Sequence, residues 1–199
     1  MSTTAFYPIG VPGQPWGAAE RADWLARQRK LRSYADEVVG KIDALRARFD
    51  VQQYGEIACG DERYPLYAVR NRDWQEALPI ALVTGGVHGY ETSGVHGALK
   101  FLDELAAAYA GRVNLLVAPC VSPWAYERIH RWNAQAIDPN RSFRDGGLCD
   151  EAAALIPGCE AEEVIADATK GLAFRQSCIR GFCEYPCELS TFATGPDRK

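Results

Sequence analysis

The chain has 199 residues, of which 47% are hydrophobic and 24% charged, and its formal net charge is −4. These values are ordinary for a soluble globular protein with one main core. The slight negative charge argues against nucleic acid and anionic membrane surfaces as partners. No apolar stretch approaches the ~20 residues that span a bilayer, and residues 1–16 lack the regions of a secretory signal peptide. We therefore expect a cytoplasmic location.

The first part of the chain predicts an extended arm followed by a long helix. Residues 1–17 are rich in Pro and Gly, which favours an arm without regular structure. Residues 18–49 carry apolar side chains at three- and four-residue steps, which predicts one helix with a buried stripe. The members of this stripe are Leu31, Tyr34, Val38, Ile42, Leu45 and Phe49. The charge run Arg27–Arg32 is typical of the solvated face of such a helix.

The middle of the chain predicts strands that alternate with a helix. Residues 51–58 and 64–69 are strand candidates joined by a hairpin turn, and 77–83 is a third strand. A helix that begins at Thr92 or Ser93 and a short apolar strand at 113–118 follow. A strand, a crossover helix and a strand form the βαβ unit. We therefore expect an α/β domain over residues 18–143, with a mixed, mainly parallel sheet and helices on both faces.

From residue 144 the composition changes, and residues 144–199 form an atypical Cys-rich tail. The tail carries five of the seven cysteines in the chain: Cys149, Cys159, Cys178, Cys183 and Cys187. Without a signal peptide, we expect free thiols rather than disulfides. The tail is either a loop-rich cap or a segment outside the fold, so we expect the α/β fold to be incomplete at its C-terminus.

A short motif follows the third predicted strand. Gly85-Gly86-Val87-His88-Gly89-Tyr90-Glu91 places a His and a Glu three residues apart, just after the strand. Open α/β sheets bind their ligands at the carboxyl ends of strands. Imidazole nitrogen and carboxylate oxygen are zinc ligands. The motif therefore predicts a metal site, although His88 could also be a structural loop residue and Glu91 a carboxylate at a helix N-terminus.

Three segments together resemble the M14 family of zinc metallocarboxypeptidases. His88–Glu91 resembles the H-x-x-E zinc motif of that family. Val121–Glu127 resembles its N-P-D-G-(Y/F)-E segment, with Ser122 in place of Asn and Trp124-Ala125 in place of Asp-Gly. Residues 131–143 resemble its R-x-N-x-x-G-V-D-L-N-R-N-F segment. The resemblance covers about residues 50–143.

The resemblance implies a zinc-dependent hydrolase, a metallopeptidase that acts on a C-terminal peptide or amide bond. It implies that His88 and Glu91 bind Zn²⁺ and that Arg131 stabilises the oxyanion of the reaction. Asn140 and Arg141 would bind the free carboxylate of a peptide or acylated amino-acid substrate, because the fork of a guanidinium matches a carboxylate.

Two parts of the family site are not found in the sequence. The family takes a second zinc-ligand His and a general-base Glu from later strands, whereas the last of the three histidines here is His130. We therefore expect weak zinc binding and impaired or absent turnover. One hypothesis is a carboxypeptidase whose reading frame or assembly was disrupted near Arg144. The other is a variant that takes a replacement ligand, Cys or Glu, from the tail.

Two other functions stay open. Succinylglutamate desuccinylases and aspartoacylases share a G-x-H-G-x-E motif and an Asn-Arg pair, so a deacylase is the first alternative. The nine-residue step from Arg131 to Asn140 favours the carboxypeptidase pattern, although weakly. The second alternative is a catalytically dead binding module or an unstable fragment, which the missing His would explain.

Overall fold

The computed structural model describes residues 8–144 and 147–158, with side chains up to residue 155. Four strands are present in this part of the chain: β1 (Asp50–Cys59), β2 (Glu62–Arg70), β3 (Ile80–Thr84) and β4 (Asn114–Ala118). The α-helices are α1 (Ala18–Ala26), α2 (Gly40–Leu45), α3 (Thr92–Lys100), α4 (Pro123–Arg128) and α5 (Asp150–Gly158). Shorter helical segments are the π-helical turns Ala35–Val39 and Phe101–Leu105 and the 3₁₀ turns Ala106–Tyr109 and Pro139–Arg141.

The four strands form one mixed sheet in the order β1-β2-β4-β3. Strand β2 pairs antiparallel with β1 and with β4, whereas β3 and β4 pair parallel. The predicted hairpin turn joins β1 to β2, and Gly60 adopts a positive φ of 58° there, a conformation that glycine adopts without steric cost. The predicted βαβ unit is the pair β3 and β4 with α3 between them.

Both faces of the sheet are covered by helices. Every residue of β4 is buried, and successive side chains of a strand point to opposite faces. Leu115 and Val117 belong to a core that includes residues of α1, α2 and α3. Leu116 and Ala118 belong to a second core that includes Leu155 of α5. The predicted α/β class, with a mixed sheet and helices on both of its faces, is therefore confirmed. The sheet was also expected to be mainly parallel, but two of its three strand pairings in the described residues are antiparallel, because β2 pairs antiparallel with both of its neighbours.

The prediction of one helix over residues 18–49 was wrong. Helix α1 ends at Ala26, and a second helical segment covers residues 35–45. The chain between them is held by α4, because the backbone N–H groups of Leu31 and Arg32 donate to the carbonyl of Glu127 at 2.8 and 3.2 Å. A tertiary acceptor thus replaces the helical hydrogen bonds. Leu31 is consequently 64% exposed, although the later members of the predicted stripe are buried.

The helix that follows the motif changes its pitch. Residues 92–100 are α-helical, but 101–105 form a π-helical turn and 106–109 a 3₁₀ turn. A π turn adds one extra residue to a turn of the helix and shifts the phase of the residues beyond it. Leu99 and Leu102 are buried. Leu105 and Tyr109 continue their three- and four-residue spacing at the end of the π turn and beyond it, but are 44% and 39% exposed.

Part of the predicted tail packs on the sheet. Helix α5 contacts β1, and its Leu155 is fully buried. Cys149, like Cys59 and Cys120, is a free thiol. The predictions for residues 1–7, 145–146 and 159–199 lie outside the described residues. These include the four later cysteines of the tail. In the described residues, no helix is both long enough and apolar enough to cross a membrane.

Candidate metal centre

The candidate site is built on the loop between β3 and α3. Gly85–Gly89 are buried, and Gly86 turns the chain with a positive φ of 56°. A Cβ atom added at Gly89 would lie 1.9 Å from the carbonyl carbon of Ala125, so only glycine fits at this approach. The loop therefore lies directly against α4.

Backbone hydrogen bonds fix this loop to the chain that follows β4. The N–H groups of Val121 and Ser122 donate to the carbonyls of Gly85 and Gly86, both at 3.0 Å. The Ser122 hydroxyl donates to the carbonyl of Val87 at 2.8 Å. Ser122 stands where the family motif has Asn, so this position holds the loop by a side-chain hydrogen bond in the present chain.

Arg32 holds the other end of the loop, and its predicted place on a solvated helix face was wrong. Its guanidinium donates to the carbonyl of Gly89 at 2.9 Å, to the Thr92 hydroxyl at 2.7 Å and to the carbonyl of Tyr126 at 2.6 Å. The guanidinium carbon also lies 3.5 Å from the centre of the Tyr126 ring, a cation–π contact. The break between α1 and the next helical segment brings Arg32 into this position.

His88 lies between two carboxylates. Its Nδ1 is 2.7 Å from Oε1 of Glu91, and its Nε2 is 2.8 Å from Oδ1 of Asp138. The second oxygen of Glu91 accepts from the backbone N–H of His88 at 3.2 Å. The three side chains are 5%, 12% and 11% exposed. An ionised carboxylate only accepts, so each ring nitrogen that carries a proton donates to the carboxylate that it faces.

Nδ1 of His88 and the Glu91 carboxylate fit two ligands of a zinc ion. Two such ligands at tetrahedral geometry lie about 3.3 Å apart, so a small opening of the 2.7 Å contact would admit the metal in place of the Nδ1 proton. Among the described residues, no third His, Cys, Asp or Glu joins these two in a group that could hold a metal. A complete site would need a further ligand.

Asp138 is the acid that orients His88. It also caps the 3₁₀ turn, since its Oδ1 accepts from the Asn140 N–H at 3.1 Å. Burial acts to raise the pKa of Asp138, but hydrogen bonds from His88 and Arg131 outweigh it, so the pKa lies below its ordinary value. An Asp seven residues after Arg131 and fifty after His88 carries no local signal for this contact.

The predicted arginines lie on the same acid. Arg131 donates from Nε and Nη2 to Oδ2 of Asp138 at 3.2 and 2.9 Å, and its side chain is 41% exposed. Nε of Arg141 lies 3.6 Å from the same oxygen, with 81% of its side chain exposed. Asn140 is exposed and contributes its backbone N–H. The fold thus brings His88 and both arginines against Asp138, and Glu91 against His88.

The segment between α4 and the 3₁₀ turn adopts unusual backbone conformations. Ile129 ends α4 in the left-handed region, with a φ of 56°, and Ala136 has a φ of 58°. After the reversal at Ile129, the N–H of His130 donates to the carbonyl of Ala125, and its carbonyl accepts from the N–H of Tyr90, both at 3.0 Å. This reversal places Arg131 beside the motif loop.

A buried network supports the turn that carries Asp138. The Asn133 amide oxygen accepts from the N–H groups of Gln135 and Ile137 at 3.1 and 3.0 Å. Its amide nitrogen donates to Oε2 of Glu151 at 2.9 Å, and the Cys149 thiol donates to the same oxygen at 2.8 Å. Burial raises the pKa of Glu151. Helix α5 is therefore linked to the candidate site through Asn133.

A second buried acid fixes the elements around the loop. Glu127 is 1% exposed and accepts from the Tyr34 N–H at 2.7 Å and from the Tyr64 hydroxyl at 2.9 Å. It also pairs with Lys30 at 2.7 Å and lies 3.8 Å from Arg128. Arg128 in turn pairs with Glu62 at 2.6 Å, in keeping with a salt-bridging role rather than a catalytic one.

The other two histidines lie outside the site. His96 contacts the Tyr126 hydroxyl at 3.1 Å and Lys41 at 3.3 Å. His130 packs edge-on against the ring of Trp24. Burial lowers the pKa of both histidines. Both side chains are thus engaged in contacts with neighbouring side chains.

Two solved structures similar to this chain are named "putative metallopeptidase". A "putative metallopeptidase" from Shewanella amazonensis is 27% identical, with a TM-score of 0.53; the match covers 64% of this chain and 48% of that one. A "putative metallopeptidase" from Shewanella baltica is 28% identical, with a TM-score of 0.55, over 66% of this chain and 50% of that one.

A metallo-carboxypeptidase from Pseudomonas aeruginosa, solved with (2-guanidinoethylmercapto)succinic acid, is 15% identical, with a TM-score of 0.50. That match covers 63% of this chain and 35% of that one, and it supports the fold alone. No family model matches the sequence. No curated protein matches it either.

The chain spans about half the length of the Shewanella structures. Over the matched residues, the chain has the fold of these metallopeptidases and metallo-carboxypeptidases, and the predicted resemblance to a part of the M14-like catalytic domain is confirmed.

Proposed function

We propose that this chain is part of a zinc-dependent carboxypeptidase-like hydrolase. It carries the substrate-binding residues and some of the metal ligands. The observation that carries the proposal is the position of His88, whose Nδ1 meets Glu91 while Asp138 holds Nε2. A carboxylate on the far nitrogen fixes the ring orientation and makes Nδ1 a better ligand.

Arg131 and Arg141 support the proposal that the substrate is a chain with a free carboxylate. Arg141 is 81% exposed and its guanidinium can turn from Asp138 toward an anionic chain end, with Asn140 beside it. Arg131 is joined to His88 through Asp138, which hydrogen-bonds to both side chains. It would therefore face the oxygen on which negative charge develops, where preorganised charge contributes most to catalysis. When bound, zinc would polarise the scissile carbonyl and lower the pKa of a water molecule to about 7.

Impaired turnover is part of the proposal. Removing an outer contact of a metal ligand typically costs about 10–100-fold in metal affinity or activity, and a missing ligand should cost at least as much. A general base contributes a further factor of about 10²–10⁴ in rate, and none is assigned among the described residues. We therefore expect metal binding and substrate binding to persist more readily than catalysis.

The test is metal content and substrate choice of the purified chain. Zinc affinity is measured for the wild type and for His88→Ala, and the expected result is 1:1 binding that the variant loses. Short peptides and N-acylated amino acids are then compared for cleavage and binding. Zinc binding that His88→Ala leaves unchanged would refute the proposed site, and preferential cleavage of acylated amino acids would favour the deacylase alternative.

A further inference from the structure

Tyr90 contacts both the metal-ligand ring and the arginine of the candidate site. Its ring stacks on that of His88, with the two centroids 5.7 Å apart and the planes 1° from parallel. Its hydroxyl oxygen accepts from Nη1 of Arg131 at 3.0 Å. We infer that Tyr90 is a positioning residue that holds the Arg131 guanidinium beside the metal site. This inference rests on the proposed function and names a residue of the same site.

The hydrogen bonds of Arg131 show what Tyr90 adds. Nε and Nη2 donate to a single oxygen, Oδ2 of Asp138, at 3.2 and 2.9 Å. Two bonds to one oxygen leave the planar guanidinium free to rock about that oxygen. The hydroxyl of Tyr90 holds the third nitrogen, so the group is bound at two separate points. Each Nη still keeps one N–H for a ligand oxygen.

Tyr90 is itself held in place. Its backbone N–H donates to the carbonyl of His130 at 3.0 Å, so Tyr90 and the residue before Arg131 are joined directly. The parallel stack on His88, which is 4% exposed, supports one side of the ring. Tyr90 as a whole is 43% exposed, so it lies at the solvent-facing edge of the site. A rigid aromatic side chain is well suited to holding a half-exposed guanidinium.

The first test measures the position of Arg131 without metal or substrate. Arginine side chains are labelled with ¹⁵N, and the Arg131 signals are assigned by their loss in Arg131→Lys. We expect slow rotation of the guanidinium in the wild type and faster rotation, with averaged Nη signals, in Tyr90→Phe. Phenylalanine keeps the ring but removes the acceptor. Tyr109→Phe, which alters a half-exposed tyrosine that packs on Phe101, is the matched control.

The second test measures the consequence for binding. The probe is a peptide phosphonate, whose tetrahedral anionic group resembles the oxyanion, added to the zinc-loaded chain. We expect Tyr90→Phe to weaken its binding about 10-fold, the loss of one charge-assisted hydrogen bond. In an Arg131→Gln background, the same change should cost less than about 2-fold.

The two tests have separate outcomes. Unchanged Arg131 rotation in Tyr90→Phe overturns the inference, whether or not the chain binds zinc or substrate. Equal losses of phosphonate affinity in both backgrounds also overturn it, because Tyr90 would then act independently of Arg131. A wild type that binds no phosphonate refutes the proposed function instead, and the rotation measurement still decides the role of Tyr90.

Discussion

Asp138→Asn tests whether an acid behind His88 prepares it for metal. The side chain keeps its size, but the charge-assisted hydrogen bond to Nε2, 2.8 Å long, is lost. Such bonds contribute about 1.5–3 kcal/mol, and each 1.4 kcal/mol is tenfold in affinity. An amide can also donate to Nε2, which would leave the ring proton on Nδ1 and block the metal. We therefore expect zinc affinity to fall about 10–100-fold, the range known for such contacts.

The assay is competition for Zn²⁺ between the protein and a chromophoric chelator at constant pH. Asp43→Asn is the matched control, since Asp43 is an exposed acid that pairs with Arg46 at 2.9 Å on the surface of α2. We expect this control to bind zinc as the wild type does. The reasoning is refuted if Asp138→Asn binds zinc within about twofold of the wild type while His88→Ala abolishes binding. Zinc binding by His88 would then not depend on a carboxylate at Nε2.

Three further predictions concern stability. Arg32→Lys should lower the free energy of unfolding by about 2–3 kcal/mol, because an ammonium group cannot reach all three acceptors of the planar guanidinium. Urea titration measures this loss. The control Arg27→Lys, at an exposed position, should change the free energy of unfolding by no more than about 0.5 kcal/mol. Glu127→Ala should lower the free energy of unfolding by about 3–5 kcal/mol in the same titration, since it leaves buried partners unpaired. Glu104→Ala, at an exposed position, should have no such effect. Similar small losses of stability in both variants would contradict the role of the buried acid. The depressed pKa of Asp138 predicts a contribution that is complete above the pKa of the unfolded chain and disappears as the pH falls through the lower folded value. The difference in unfolding free energy between wild type and Asp138→Asn should therefore shrink on acidification, and a difference independent of pH would contradict this.

The elements around the motif were predictable because their signals are local. Strands β3 and β4 are short apolar runs with a helix between them, and the motif between β3 and that helix begins with two glycines. Each of these features depends on neighbours in sequence. The approximate strand positions, the α/β class and the placement of His88 and Glu91 on one loop follow from such patterns.

The rest depends on contacts between distant residues. The break after α1 arises because the buried Glu127 and its carbonyl bind the chain near Arg32, about 95 residues away in sequence. Helical periodicity continues across that break, so the pattern alone predicts a continuous helix. Likewise, Asp138 reaches His88 only after the chain has passed through β4 and α4. Neither contact leaves a periodic trace in the sequence.

The reversal at Ile129 shows that this region of the protein is not optimised for stability alone. A branched side chain in the left-handed region costs about 1–2 kcal/mol relative to the ordinary helical conformation. Glycine or asparagine would occupy the same φ of 56° at lower cost. Selection for thermal tolerance should therefore favour Ile129→Gly. The Ile129→Gly variant would show whether a less strained backbone still places Arg131 beside the motif loop.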